Sequence, residues 1–103
     1  MMVQQVSMKE LEGLLADGAL LVDVQEEGVK KPSTDLPSRH LPLSRLGELT
    51  TKIPRDRPTV FCCRSGLLSY QAAAIARDWT EQPVYYLKDG LLGYESEEEQ
   101  YGT

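Results

Sequence analysis

A cysteine placed where an apolar run breaks into a small polar turn, with a cation beside it, can act as a nucleophile. Cys63 holds such a place within Thr59 to Ala74, TVFCCRSGLLSYQAAA. The segment opens as a β-prone run (Thr59, Val60, Phe61, Cys62), turns around Gly66, and becomes Ala-rich and helix-favouring from Ser69 onward. A strand that feeds a tight loop and then a helix aims the loop's N–H groups, and the unpaired N–H groups of the helix's first turn, at one point. Negative charge is favoured there. A thiol at that point, next to Arg64, is expected to ionise more readily than a free one. Side chains alternate along a strand, so a core-facing Cys62 sends Cys63 out at the C-terminal edge of the sheet, where open parallel sheets bind ligands. Cys62 itself reads as a small buried apolar residue.

The elements that must position this thiol can be followed along the chain. Val3 to Val6 is a short candidate edge strand. Ser7 and Glu10 form a capping box, and the helix they start carries Leu11, Leu14 and Leu15 on one face and stops at Gly18. Ala19 to Val24 is a nearly continuous apolar run, as expected for a parallel strand covered on both faces. Asp23 interrupts it near the end, and a buried carboxylate there requires backbone N–H groups or an Arg around it. Gln25 to Arg39 reads as a long polar surface loop. Leu43, Leu46 and Leu49 have helical spacing, which predicts a short helix over Leu43 to Thr50, and Ile53 to Pro58 reads as a turn. Ser69 is expected to cap a helix running to about Trp79, followed by a last strand at Val84 to Leu87. Strands alternating with helical patterns predict one α/β domain over residues 1–103, with about five strands, mostly parallel, and about four or five helices on both faces.

These residues resemble the rhodanese-like sulfurtransferase family. Cys63-Arg64-Ser65-Gly66-Leu67-Leu68-Ser69 is similar to its active-site loop, in which a cysteine opens a six-residue loop, here Cys63 to Leu68, and carries a persulfide. Leu21 to Glu26 resembles the family's strand-plus-acid segment, with Gln25 at a position usually occupied by Arg. Leu36-Pro37-Ser38 with His40-Leu41-Pro42-Leu43 resembles its loop and short third strand, and Tyr86 to Tyr94 its C-terminal turn. The resemblance implies a three-layer fold, Cys63 as nucleophile, the backbone of Arg64, Ser65, Gly66, Leu67, Leu68 and Ser69 as an anion cradle, and a loop-supporting role for Asp23. The departures are also specific. Leu68 stands where the family often has an anion-binding Arg, Asp35 where it has His, and Asp89-Gly90 where it has Gly-Gly, which implies weak use of free thiosulfate.

Bulk composition agrees with one folded domain. The chain has 103 residues, of which 41% are hydrophobic and 26% charged, a balance ordinary for globular proteins. It has no apolar run long enough to span a membrane, and its first residues, MMVQQVSMKE, lack the basic stretch and apolar core of a signal peptide. The expected compartment is the cytoplasm, where thiols stay reduced, and adjacent Cys62 and Cys63 leave no loop for a disulfide to close. Of 16 acids, Glu95, Glu97, Glu98 and Glu99 lie in an acidic tail, 95–103, that is expected to fray; the remaining 12 face 11 bases. Lys30 to Arg64 is locally basic, with eight bases against three acids, and could recruit anions or an acidic partner or merely form a solvated face. The acidic balance, with no aromatics among the bases, argues against nucleic-acid binding.

The function expected from these features is transfer of sulfane sulfur through a Cys63 persulfide, from a small donor or a persulfide-bearing protein to a thiol or protein acceptor. No metal or organic cofactor is required. The alternative is a rhodanese-like binding or regulatory module without turnover. Phosphatase chemistry needs Arg at position 69, which is Ser, and thioredoxin-type exchange needs a Cys-x-x-Cys that the chain lacks. His40, the single histidine, is not placed beside Cys63 by its neighbourhood and is not favoured as a catalytic base.

Overall fold

The computed structural model describes residues 3–26, 38–45, 47, 53, 55–63 and 67–87. Five strands form one sheet: β1 (Val3–Val6), β2 (Leu20–Asp23), β3 (Arg39–His40), β4 (Thr59–Cys62) and β5 (Val84–Leu87). Their order is β1-β5-β4-β2-β3, and every pairing is parallel. The helices among the described residues are α1 (Met8–Ala16), α2 (Leu67–Ala76) and a 3-10 turn at Leu43–Arg45. The most apolar segments become the central strands because parallel strands are covered on both faces, and β4 is buried along its whole length.

Helix α1 is bounded as its sequence requires. The Ser7 hydroxyl accepts the Glu10 N–H at 3.2 Å, and the Glu10 carboxylate accepts the Ser7 N–H at 3.3 Å. At the other end the Gly18 N–H reaches the Leu15 carbonyl and the Ala19 N–H the Leu14 carbonyl, the paired bonds of a Schellman stop. Gly18 has φ 101°, a left-handed conformation that a side chain would strain.

The pleat sorts the core into two layers. Val22, Val24, Phe61, Cys63 and Val84 pack with Ala72, Ala73 and Ala76 of α2 on one face. Leu21, Val60, Cys62 and Leu87 pack with Leu11 of α1 on the other. Each large apolar side chain buried this way contributes about 1.5–3 kcal/mol, and the alanines let α2 lie close on the sheet. The two adjacent cysteines therefore belong to opposite layers.

Three local expectations differ from the structure. Helix α2 begins two residues before Ser69 and ends at Ala76, with the Trp79 N–H closing a turn on the Ala76 carbonyl at 2.8 Å. The segment after Pro42 opens as a 3-10 turn, in which the Arg45 N–H bonds the Pro42 carbonyl at 3.0 Å. Gly47 beyond it is helical, while 46 and 48–50 lie outside the described residues, as do Arg64, Ser65, Gly66, the turn from 88 to 94 and the tail 95–103. Third, Cys63 is buried, with 1% of its surface exposed, and does not stand out from the sheet edge. Its parity places it under α2. No helix among the described residues is long and apolar enough to cross a membrane.

Candidate active site

Cys63 follows directly on β4, at the C-terminal end of the central strands, and α2 starts four residues later. Its sulfur meets the first turn of that helix. The Ser69 N–H donates to Cys63 Sγ at 3.4 Å, and Sγ lies 3.7 Å from Ser69 Oγ. Ser69 is the third residue of α2, and the amide of that position has no carbonyl partner within a helix. The sulfur supplies one. Around it the layer is apolar: Val24, Leu41 and Phe61 share its cluster, and Leu43 and Leu68 pack against that cluster. The thiol thus combines apolar neighbours with a helix amide that donates to it and a hydroxyl oxygen that accepts from it.

The end of β2 is fixed beside this site. Asp23 pairs in register with Cys62, and the ladder continues past the strand through the Val24 N–H, which donates to the Cys62 carbonyl at 3.0 Å. The Asp23 carboxylate is buried and accepts the Gln25 N–H at 2.9 Å and the Gln25 side-chain amide at 3.3 Å. Gln25 is equally buried, and its Oε1 has no hydrogen-bond partner among the described residues. The Gln25 carbonyl accepts a 2.7 Å hydrogen bond from His40 Nε2, whose residue is paired with Asp23 in the β2–β3 ladder. His40 thus holds the chain leaving β2.

Comparison with known proteins is consistent with this layout. The sequence profile of the family described as Rhodanese-like domain matches residues 7–97, which include both β4 and the cysteine that follows it. This chain belongs to the rhodanese-like domain family. A protein of Allochromatium vinosum named Sulfurtransferase is 33% identical over 100 residues, covering 90% of this chain and 89% of that protein. A rhodanese homologue of Thermus thermophilus superposes with a TM-score of 0.75 at 29% identity, covering 87% of this chain and 99% of that one. An NAD-dependent persulfide reductase from A. fulgidus matches with a TM-score of 0.69 and 26% identity over 89% of this chain but only 16% of its own.

The rhodanese-like site contains contacts that the sequence did not reveal. Ser69 reads as a helix cap, yet it is the partner of the sulfur. Glu26 accepts the Ser44 N–H at 2.8 Å and the Ser44 hydroxyl at 2.6 Å. These hydrogen bonds, the hydroxyl first and the amide second, hold the Glu26 carboxyl below its ordinary 4.5, with a smaller contribution from His40. Together with Asp23 and His40 they tie the chain after β2 to the 3-10 turn. The only advance signal was a serine two residues after Pro42. Among the described residues no group of three His, Cys, Asp or Glu side chains could hold a metal. A cleft of about 480 Å³ lined by Arg55, Arg77, Trp79 and Glu81 lies beyond the end of α2, and neither Cys63 nor Ser69 lines it.

Proposed function

We propose that this rhodanese-like chain is a sulfurtransferase that carries sulfane sulfur as a persulfide on Cys63. The observation that carries the reading is the Ser69 amide directed at Cys63 Sγ from the first turn of α2. An amide dipole at that position favours negative charge on the sulfur, and a buried setting strengthens the effect. In the first step Cys63 thiolate attacks the outer sulfur of a donor, R–S–S⁻. The donor S–S bond breaks, a new S–S bond forms on Cys63, and RS⁻ leaves. In the second step an acceptor thiolate attacks the outer sulfur and Cys63 leaves as thiolate. Sulfur and electrons balance without a cofactor.

In this reading the backbone of Arg64, Ser65, Gly66, Leu67, Leu68 and Ser69 cradles the outer sulfur, and Asp23 supports the neighbouring strand end. Arg39 and Arg45, both exposed near the end of β2, favour anionic donors or an acidic partner protein. Leu68 contributes hydrocarbon, not charge, so a protein-borne persulfide is the better donor and free thiosulfate a poor one. A reducing compartment, the cytoplasm, suits two cysteines outside any disulfide. Intact mass after incubation with a sulfane donor is the test: wild type gains one sulfur atom and Cys63→Ala gains none. An unmodified wild type, or equal gain in the variant, defeats the proposal.

The burial of Cys63 favours one other reading, a rhodanese-like binding module whose thiol is a core residue. A module of that kind alkylates no faster at Cys63 than at Cys62.

A further inference from the structure

We infer that the Ser69 hydroxyl is a reversible partner of the Cys63 sulfur, accepting a hydrogen bond from the thiol and donating one to the thiolate. Ser69 is fully buried, its amide already donates to Sγ at 3.4 Å, and its Oγ lies 3.7 Å from the same atom. In the neutral state Cys63 S–H points to Ser69 Oγ. When that proton leaves to solvent, the sulfur can only accept, and rotation about one serine bond turns the hydroxyl hydrogen toward it. No proton passes to serine. The two contacts of Ser69 with the sulfur are kept, but both are now donated to a charged atom, where each is about twice as strong as a neutral one.

Ser69 is therefore a positioning residue whose hydroxyl favours the ionised sulfur over the neutral one. The inference deepens the sulfurtransferase reading, because the same thiolate attacks the donor and later leaves from the persulfide, yet its test needs no sulfur transfer. The measurement is the rate of Cys63 alkylation across pH, assigned by fragmentation mass spectrometry so that Cys62 is counted separately, with thiolate ultraviolet absorbance followed in parallel. Ser69→Ala is expected to slow alkylation about tenfold at neutral pH, the excess of a hydrogen bond to a charged sulfur over the neutral one that the thiol also loses. Its rate should converge with wild type at alkaline pH, where the thiolate is complete in both. Ser69→Thr, which keeps a hydroxyl, restores the neutral rate.

An unchanged rate in Ser69→Ala, or a slowing of equal size at every pH, overturns the inference. The second result would mean that the serine governs access and not charge. If Ser69→Ala does not fold, Ser69→Gly is the hydroxyl-free variant, read in the same way. Failure of sulfur loading with a positive alkylation result would refute the proposed function and leave the role of Ser69 intact.

Discussion

Replacing Asp23 by alanine and by asparagine should give very different losses. Among the described residues the carboxylate accepts two hydrogen bonds, from the Gln25 backbone N–H at 2.9 Å and its side-chain amide at 3.3 Å, with both residues 2% exposed. Asp23→Ala removes both and strands two buried donors. A hydrogen bond to a charged group is worth about 1.5–3 kcal/mol and an orphaned donor costs about 1–3 kcal/mol, so with the 3.3 Å bond weighted lightly the loss is about 3 kcal/mol. At about 4–8 °C per kcal/mol for a domain near this size, the melting temperature should fall about 12–24 °C. Asparagine can retain both contacts. Its carbonyl oxygen still accepts the Gln25 N–H, and its amide can donate to Gln25 Oε1, the atom that now has no partner among the described residues, once the Gln25 side chain turns over. One orphan replaces another, only charge assistance is lost, and the cost should stay near about 1 kcal/mol. Guanidinium unfolding followed by circular dichroism and by the single tryptophan, Trp79, measures both variants. If asparagine costs as much as alanine, the negative charge itself is what this site requires, and the hydrogen-bond argument fails. If alanine is neutral, Asp23 supports nothing.

Two further outcomes follow from the same neighbourhood. The depressed Glu26 carboxyl gives stability that is present above its unfolded value, ordinarily 4.5, and is lost as pH falls through the lower folded value. Glu26→Gln should therefore be less stable than wild type at neutral pH, with the gap closing below 4.5 in urea unfolding series at stepped pH; a gap that does not depend on pH would contradict the Ser44 contact as its source. Leu68→Arg places a cation beside the cysteine layer and should lower the Michaelis constant for free thiosulfate at little cost in folding, since Leu68 is only half-buried. An unchanged constant would show that the missing charge does not limit donor choice.

What the sequence could reveal of this molecule depended on whether the deciding interaction was local. The capping box of Ser7 and Glu10 and the stop at Gly18 involve residues within a few positions of each other, and both appear where their residue types place them. The strand at 59–62 is equally legible, because burial on both faces demands an uninterrupted apolar run, whereas the edge strand 3–6, exposed at Gln4 and Gln5, shows only as two valines flanking polar residues. The strand order is not local, and only the family resemblance suggested it. The same distinction explains Ser69. A serine ahead of an alanine run is a good helix cap by local chemistry, but the helix starts earlier and its orphan amide is satisfied by a sulfur six residues back. Nothing in the residues 64–69 announces that exchange, since it depends on where β4 delivers Cys63. The contacts of Gln25 with His40 and of Glu26 with Ser44 are likewise invisible until β3 lies against β2.

The pleat decides which of the two cysteines can matter. Cys62 and Cys63 are both 1% exposed, so accessibility does not separate them. Parity does: Cys62 faces the layer of α1 with Leu11, while Cys63 faces the layer of α2 and meets its first turn. A one-residue slip of β4 would exchange the two faces and put the other thiol beneath that amide. Register along β4 is held by parallel pairing to β2 on one side and to β5 on the other, so the chemistry of a single sulfur rests on ladders formed by strands distant in sequence. The strand end that Asp23 and His40 secure thus helps to keep Cys63, and not Cys62, beneath that amide.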